Sequence, residues 1–217
     1  MRGNTLPNHT PMPTPINIAV LISGGGTTLK NLIDRVTAGS LNARIDRVIS
    51  SNPSAGGLKF ATDANIAAQT IGHRDFADRE SFSKAIFDSL RESNVRLVVM
   101  GGFLRQLAIP DDFENKIINI HPSLIPAFCG KGNYGKRVHQ GVIDYGCKIS
   151  GCTVHFVDDD YDHGPIIAQT PVTVEPNDTA DSLARKIFAA ECELLPDVIN
   201  SIAAGRLSIS GRNVSIR

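Results

Sequence analysis

Two clusters of polar residues interrupt apolar strands in this sequence. Asn119 and His121 alternate with isoleucines in the segment KIINIHPSL, so both polar side chains lie on one face of a predicted strand. Pro122 and Pro126 end that strand, because proline has no N–H to donate to a sheet. The pair indicates either a functional site or a histidine that simply bonds a nearby backbone group.

The second cluster is HFVDDDYDHGP, which begins at His155. Its first three aspartates are typical of a solvated turn. Asp162 differs, because Gly164-Pro165 stiffens the chain directly after it, and its side chain is predicted to point inward. Near His121, this carboxylate would raise the pKa of the imidazole and orient a water molecule.

These three residues suit one kind of chemistry. Asn119 offers an amide donor for a developing oxyanion, and the cluster contains no serine or cysteine placed as a nucleophile. The set favours acyl transfer by direct attack of a bound amine. Metal-dependent hydrolysis is not expected, because His121 and His155 lack the spacing of known metal motifs.

A third candidate is the glycine loop SGGGTTLKNL after the first predicted strand. A helix N-terminus behind such a loop can bind an anion through backbone N–H groups. The loop has no lysine in the P-loop position, and Leu29 stands where a dinucleotide fingerprint needs its third glycine. A small phosphate fits better, and a plain strand-to-helix turn remains an equal alternative.

Alternating apolar strands and amphipathic helices surround these clusters. Strands are predicted at residues 16–23, 43–51, 67–71, 95–102 and 116–121, and helices at 28–39, 56–65 and 79–94. After residue 150 two antiparallel strands joined by the acidic loop, a helix over about 179–204 and a small hairpin at the end are expected. The pattern predicts an α/β fold: a Rossmann-like, mainly parallel sheet flanked by helices, with a mixed C-terminal part.

Composition narrows the class of protein. The 217 residues carry 22 basic and 22 acidic side chains, so no charge excess favours nucleic acid or a membrane surface. The four cysteines have neither zinc-site nor disulfide spacing. Residues 1–15, with four prolines, are interpreted as a flexible extension without a signal peptide, and residues 16–217 as one cytoplasmic domain.

The ordered motifs VLISGGGTTL, SNPSAGGL, VVMGGFLRQL, NIHPSLIPAF, TVHFVDDDYDHGPIIAQ and AECELLP resemble those of the phosphoribosylglycinamide formyltransferases over residues 16–209. The resemblance implies a seven-stranded sheet and a formyl transfer from 10-formyltetrahydrofolate, without a metal, to glycinamide ribonucleotide in purine synthesis. The protein would be a monomer or homodimer.

The resemblance also assigns roles to residues. It implies catalytic roles for Asn119, His121 and Asp162. It implies that the substrate is bound by Gly26, Thr27, Thr28, Leu29, Lys30 and Glu191, the last through the ribose. It implies that the folate is bound by Arg79, Leu104, Arg105, Gln106, Leu107, Asp158, Asp159, Asp160 and Tyr161.

Two departures from the family pattern leave questions open. The family commonly has asparagine where this chain has Thr28, which concerns phosphate or ribose recognition. The loop CGKGNYGKRVHQ is long and basic, and Lys131, Lys136 and Arg137 either meet a substrate anion or are solvated.

The sequence also allows other functions on the same fold to be considered. Formyltetrahydrofolate hydrolases and methionyl-tRNA formyltransferases are expected to carry further domains. A non-catalytic binding protein would not need Asn119, His121 and Asp162 together.

Overall fold

The computed structural model describes residues 14–217. The predicted extension therefore lies, up to residue 13, outside the described residues. In chain order the elements are β1 (Ile16–Ile22), α1 (Thr27–Thr37), β2 (Ala43–Ser50), α2 (Gly57–Asp63), β3 (Ala67–Thr70), α3 (Arg79–Arg91), β4 (Leu97–Met100), β5 (Ile117–His121), α4 (Lys136–Tyr145), β6 (Ile149–Phe156), β7 (Ile166–Thr173), α5 (Ala180–Ala203), β8 (Leu207–Ser210) and β9 (Asn213–Ile216). Short 3-10 turns occupy His73–Asp75 and Asp111–Phe113.

Seven strands form one sheet in the order β3-β2-β1-β4-β5-β6-β7. The first five in this order run parallel, and β6 is antiparallel to both β5 and β7. The predicted seven-stranded, mainly parallel α/β fold is confirmed. The strand order reverses between β1 and β4, and such a reversal opens a crevice at the carboxyl ends of the strands.

The alternation of apolar side chains along β1 explains how both sheet faces are covered. Ile18, Val20 and Ile22 belong to one apolar cluster with residues of α1 and α5. Ala19 and Leu21 belong to a second cluster with residues of α3. Burial on both faces is what a parallel sheet between helical layers requires.

Hydrogen bonds tie the loops at the carboxyl edge together. The Ser23 amide donates to the Gly102 carbonyl at 3.2 Å, and the Leu104 amide donates to Ser23 Oγ at 3.0 Å. These bonds hold the loop after β1 against the loop after β4. The mouth of the crevice is therefore built from fixed backbone.

The helix α4 was not predicted from the sequence. It is a ten-residue helix between two glycines with positive φ, Gly135 at 54° and Gly146 at 77°. The glycine-rich stretch before Lys136 gives no local signal for the start of a helix. Its Val142 packs with Leu183 and Ile187 of α5, so tertiary packing supplies the stability that the short helix lacks alone.

The remaining C-terminal predictions are confirmed. β6 and β7 form the expected antiparallel pair around the acidic loop. α5 starts at a capping box in which Thr179 and Ser182 bond each other's backbone N–H groups, and β8 pairs with β9 as a hairpin.

Candidate active site

Asn119 and His121 lie on the same face of β5, where that strand pairs with β6. The antiparallel register places Asn119 opposite His155. The Asn119 amide nitrogen lies 3.2 Å from His155 Nε2. His155 Nδ1 lies 2.7 Å from the Phe156 carbonyl oxygen, which can only accept. The Nδ1 of His155 therefore carries a proton and donates to this carbonyl, while Nε2 faces the Asn119 amide and the Asp162 carboxylate.

Asp162 reaches the same point from the loop after β6. Its backbone has a φ of 53°, a conformation uncommon for residues other than glycine. Two residues on, a Cβ at Gly164 would lie 1.9 Å from the Phe156 carbonyl oxygen, so only glycine fits there. The predicted inward direction of Asp162 therefore depends on a loop held tightly against the end of β6.

The Asp162 carboxylate joins the cluster through both oxygens. Oδ2 accepts the Gly130 amide at 2.9 Å and lies 3.4 Å from His121 Nδ1. Oδ1 lies 3.5 Å from the Asn119 amide nitrogen and 3.7 Å from His155 Nε2. The structure thus brings the three predicted residues together and adds His155 and the Gly130 amide.

His121 is held on its other side by the loop between β5 and α4. Its Nε2 lies 3.0 Å from the Phe128 carbonyl oxygen, so Nε2 carries a proton and Nδ1 faces Asp162. The ring is 4 % exposed. Burial lowers the pKa of His121, and the opposing effects of Asp162 and the Phe128 carbonyl do not restore it.

Asp162 does raise the pKa of His121, as predicted, but desolvation of the imidazolium outweighs the carboxylate, so the net pKa of His121 is lowered. Burial also works against ionisation of Asp162 itself. Nevertheless the nearby His155 and His121 and the hydrogen bond from the Gly130 amide hold the pKa of Asp162 below its usual range. Because both pKa values are lowered, His121 is neutral and Asp162 is ionised at neutral pH.

A cavity of about 440 Å³ opens beside this cluster. Among the residues predicted for the site, it is lined by Thr27, Thr28, Leu104, Asn119, His121, Tyr161, Asp162 and Glu191. A smaller adjoining cavity of about 50 Å³ is lined by Arg105, Gln106, Leu107, Asp158, Asp160 and Tyr161. Asn119 and Asp162 line both cavities, so the catalytic candidates stand where the two spaces meet.

The N-terminus of α1 forms one wall of the larger cavity. Gly26 precedes the helix with a φ of 73°, and a Cβ there would lie 2.4 Å from Gly57 Cα. Glycine is therefore required at this turn. The N–H groups of the first helical turn have no partners within the helix, and Thr27 and Thr28 present this turn to the cavity.

Glu191 reaches the cavity from α5. Its side chain is partly buried, and burial raises its pKa to about 7. A carboxyl group with this pKa changes charge near neutral pH, which is typical of functional sites but also occurs elsewhere.

Five predicted residues do not line either cavity: Gly26, Leu29, Lys30, Arg79 and Asp159. Leu29 is fully buried in the core, and Lys30 pairs with Asp34 on the exposed face of α1. Arg79 pairs with its neighbour Glu80. Asp159 accepts hydrogen bonds from Gln106 and from the Ile109 amide, and so connects the acidic loop to the segment after β4.

The basic residues at the start of α4 also differ in whether they line the larger cavity. Lys136 lines the cavity and forms an ion pair with Asp181 at 2.8 Å, whereas the Arg137 guanidinium lies over the Tyr134 ring.

Sequence reasoning gave no role to His139, which also lines the larger cavity. No signal in the sequence could indicate it, because α4 itself was not predicted. The alternation of His155 with Phe156 indicated a strand position for His155, but only the pairing of β5 with β6 places it beside Asn119.

Among residues 14–217 no group of three or more histidine, cysteine, aspartate or glutamate side chains is arranged to hold a metal ion. Within the same range no helix is long and apolar enough to cross a bilayer.

Comparison with known proteins agrees with the geometry. Residues 16–199 match the formyl transferase family model. The chloroplastic phosphoribosylglycinamide formyltransferase of Arabidopsis thaliana is 34 % identical over 90 % of this chain and 68 % of its own length. A glycinamide ribonucleotide transformylase from Symbiobacterium toebii superposes with a TM-score of 0.88 at 39 % identity, covering 94 % of this chain and 95 % of that one.

The fold and the site thus define a folate-type formyl-transfer protein, and the chain belongs to the formyl transferase family. It is also 38 % identical, over 98 % of its residues, to the trifunctional purine biosynthetic protein adenosine-3 of Bos taurus, of which it spans 21 %.

Proposed function

We propose that the chain transfers the formyl group of 10-formyltetrahydrofolate to the amine of glycinamide ribonucleotide. The observation that carries this proposal is the meeting of Asn119, His121 and Asp162 at the junction of two cavities. The formyltransferase names of the relatives support the choice of substrates.

The larger cavity takes the amine substrate. Its phosphate binds the free N–H groups at the start of α1, beside Thr27 and Thr28. Glu191, on α5, meets the ribose. The folate occupies the smaller cavity between Arg105, Leu107 and the acidic loop and extends outward from it, so that its N10 formyl group lies beside Asn119 and Asp162.

The amine nitrogen then attacks the formyl carbon directly. Holding both substrates at one junction lowers the entropic part of the barrier. A C–N bond forms to the substrate, and the formyl oxygen becomes an oxyanion that accepts hydrogen bonds from Asn119 and His121. The bond to N10 breaks as the proton lost by the amine passes, through a water held by Asp162, to N10.

The pKa values fit this sequence of events. His121 is neutral before reaction because burial disfavours its charge. The growing negative charge on the oxyanion favours the imidazolium, so protonation of His121 becomes more favourable as the intermediate forms. The ionised Asp162 at 3.4 Å supports the same change.

Product analysis with and without the amine tests the proposal. The purified chain is incubated with 10-formyltetrahydrofolate, and formylated glycinamide ribonucleotide and formate are measured by mass spectrometry. We expect the formylated product only when glycinamide ribonucleotide is present. Formate release that is independent of the amine would indicate a hydrolase, and no turnover at all would indicate a non-catalytic relative.

Three further expectations accompany the proposal. Residues 16–217 form one formyltransferase domain, the protein is cytoplasmic, and it is a monomer or homodimer.

A further inference from the structure

His139 is a buried histidine with an unpaired ring nitrogen. It lies in the first turn of α4 and is 6 % exposed. Its Nδ1 is fully buried and has no hydrogen-bond partner. Buried polar groups are rarely left unpaired in native proteins, so each exception calls for a reason.

Two other buried side-chain atoms in residues 14–217 share this condition, Arg47 Nε and Ser150 Oγ. Neither residue lines the larger or the smaller cavity, whereas His139 lines the larger one. Among these three residues, only His139 can therefore be contacted by a molecule that enters the larger cavity.

The charge state of His139 restricts what that molecule can offer. Burial lowers the pKa of His139, and the nearby His121 lowers it further. A charge gained by His121 during reaction would act in the same direction. The ring is neutral and presents one N–H donor and one acceptor nitrogen. It matches a hydroxyl or an amide, which can both donate and accept, better than it matches a phosphate.

The position of His139 indicates which of the two substrates it contacts. The residue lines the cavity that also contains Thr27, Thr28 and Glu191, and it is absent from the lining of the smaller cavity. Given the proposed function, on which this step rests, the larger cavity holds the amine substrate. That substrate carries ribose hydroxyls and a glycinamide group, whereas its phosphate belongs at the N-terminus of α1.

We infer that His139 is a specificity-determining residue that hydrogen-bonds an uncharged hydroxyl or amide group of glycinamide ribonucleotide. Nδ1 is shielded from the cavity, whereas Nε2 is accessible and has no hydrogen-bond partner within residues 14–217, so Nε2 is the nitrogen to which the substrate supplies a partner. Recognition of this kind rejects ligands without the matching group, because they leave the imidazole unpaired.

Replacing the ring tests the inference through stability and binding together. His139→Phe keeps a planar ring but removes both nitrogens, and His139→Gln keeps a donor and an acceptor. Ser150→Ala is the matched control, since it removes another unpaired buried atom that lies outside the cavity. Melting temperatures are measured for the free proteins, with glycinamide ribonucleotide, and with inorganic phosphate alone.

We expect free His139→Phe to melt at or above the wild-type temperature, because a polar atom without a partner is removed. KM for glycinamide ribonucleotide should rise on the order of tenfold, as expected for loss of one hydrogen bond, while kcat and KM for the formyl donor stay within about twofold. His139→Gln should recover part of the loss. Stabilisation by glycinamide ribonucleotide should shrink in His139→Phe, stabilisation by phosphate should not, and Ser150→Ala should change neither.

Several outcomes would overturn the inference. Lower melting temperatures of both free His139 variants would show that the ring serves the fold. An unchanged KM for glycinamide ribonucleotide, or an effect only on kcat or on the formyl donor, would show that His139 does not recognise the amine substrate. Absence of formyl transfer by the wild-type chain would instead reject the proposed function.

Discussion

At the scale of single residues, the site is built around strained backbone. Phe128 and Asp162, which contact the two nitrogens of His121, have φ values of 51° and 53°. Such conformations cost roughly 1–3 kcal/mol each and persist only where surrounding structure enforces them. The strain places a carbonyl and a carboxylate on opposite sides of one imidazole, so each ring nitrogen of His121 faces an acceptor.

The coupling of His121 to Asp162 gives the first prediction. His121→Ala and Asp162→Asn should each lower kcat on the order of 10²-fold or more. The double variant should lose much less than the product of the two effects, because Asp162 acts through His121. In Asp162→Asn the ionisation of His121 should move to lower pH, since the carboxylate that favours its charged form is gone.

Profiles of kcat against pH for the wild type, both single variants and the double variant measure these effects. Multiplicative losses together with an unmoved profile in Asp162→Asn would show independent roles.

Glu191 gives a prediction on stability. The folded protein holds its proton to a pKa of about 7, above the ordinary value of 4.5. Its contribution to stability is therefore fully present below pH 4.5 and is lost as the pH rises through about 7. The glutamine side chain at position 191 cannot ionise. As the pH rises from 5 to 8, the melting temperature of Glu191→Gln should therefore rise relative to that of the wild type.

The wild type and Glu191→Gln both contain His121 and His139. The lowered pKa values of these histidines change stability with pH in the opposite direction, but equally in both proteins. Their effect therefore largely cancels when one melting temperature is subtracted from the other. A difference in melting temperature that is equal at pH 5 and pH 8 would contradict the assignment.

At the scale of elements, the N-terminus of α1 is expected to bind phosphate. Inorganic phosphate or sulfate should raise the melting temperature of the wild type, because a ligand selective for the folded state stabilises it. Thr28→Asp places a carboxylate at this helix end, where it favours the free helix but repels the anion. This variant should lose the stabilisation by phosphate without losing stability of its own.

Lys59→Gln is the matched control, since Lys59 only pairs with Asp63 on the surface of α2. Equal stabilisation of the wild type and Thr28→Asp by phosphate would place the anion elsewhere.

The loop from about residue 123 to 137 gives the second prediction at this scale. It contributes the Phe128 carbonyl and the Gly130 amide to His121 and Asp162, and Gly130, Gly132 and Gly135 have positive φ. Release of His121 Nε2 for an oxyanion requires this loop to shift. We expect it to be mobile without ligands and to become ordered over the cavity when both substrates bind.

Hydrogen exchange of the loop amides, measured with and without glycinamide ribonucleotide and a non-reactive folate analogue, follows this change. The amides of α3 serve as the internal reference, because α3 lines neither of the two site cavities. Identical loop protection in both states would contradict a closing loop.

At the scale of the whole molecule, the proposed reaction assigns all charge stabilisation to side chains and bound water. Activity should therefore survive exhaustive treatment with EDTA, and added zinc should not increase it. Turnover is compared before treatment, after treatment and after zinc is restored. Activity that disappears with EDTA and returns with zinc would require a metal in the mechanism.

The sequence alone determined much of the fold and the candidate site. The unbroken apolar runs of β4 and of β1 from Ile18 to Ile22 indicated strands buried on both faces, since only such strands lack polar alternation. Gly164-Pro165 indicated an inward Asp162, because these residues restrict the backbone locally. The alternation of Asn119 and His121 placed both on one face, a consequence of strand geometry that needs no partner strand.

Only the tertiary structure decided the rest. The register of β5 against β6 brought His155 to Asn119, and a pairing between strands 36 residues apart is not written in either segment. α4 is stabilised because its Val142 packs on Leu183 and Ile187 of α5, whereas the flanking glycines give no local signal for a helix. The net pKa of His121 depends on how much water the folded chain removes from the ring, and this desolvation, unlike the nearby carboxylate, cannot be inferred from residue types.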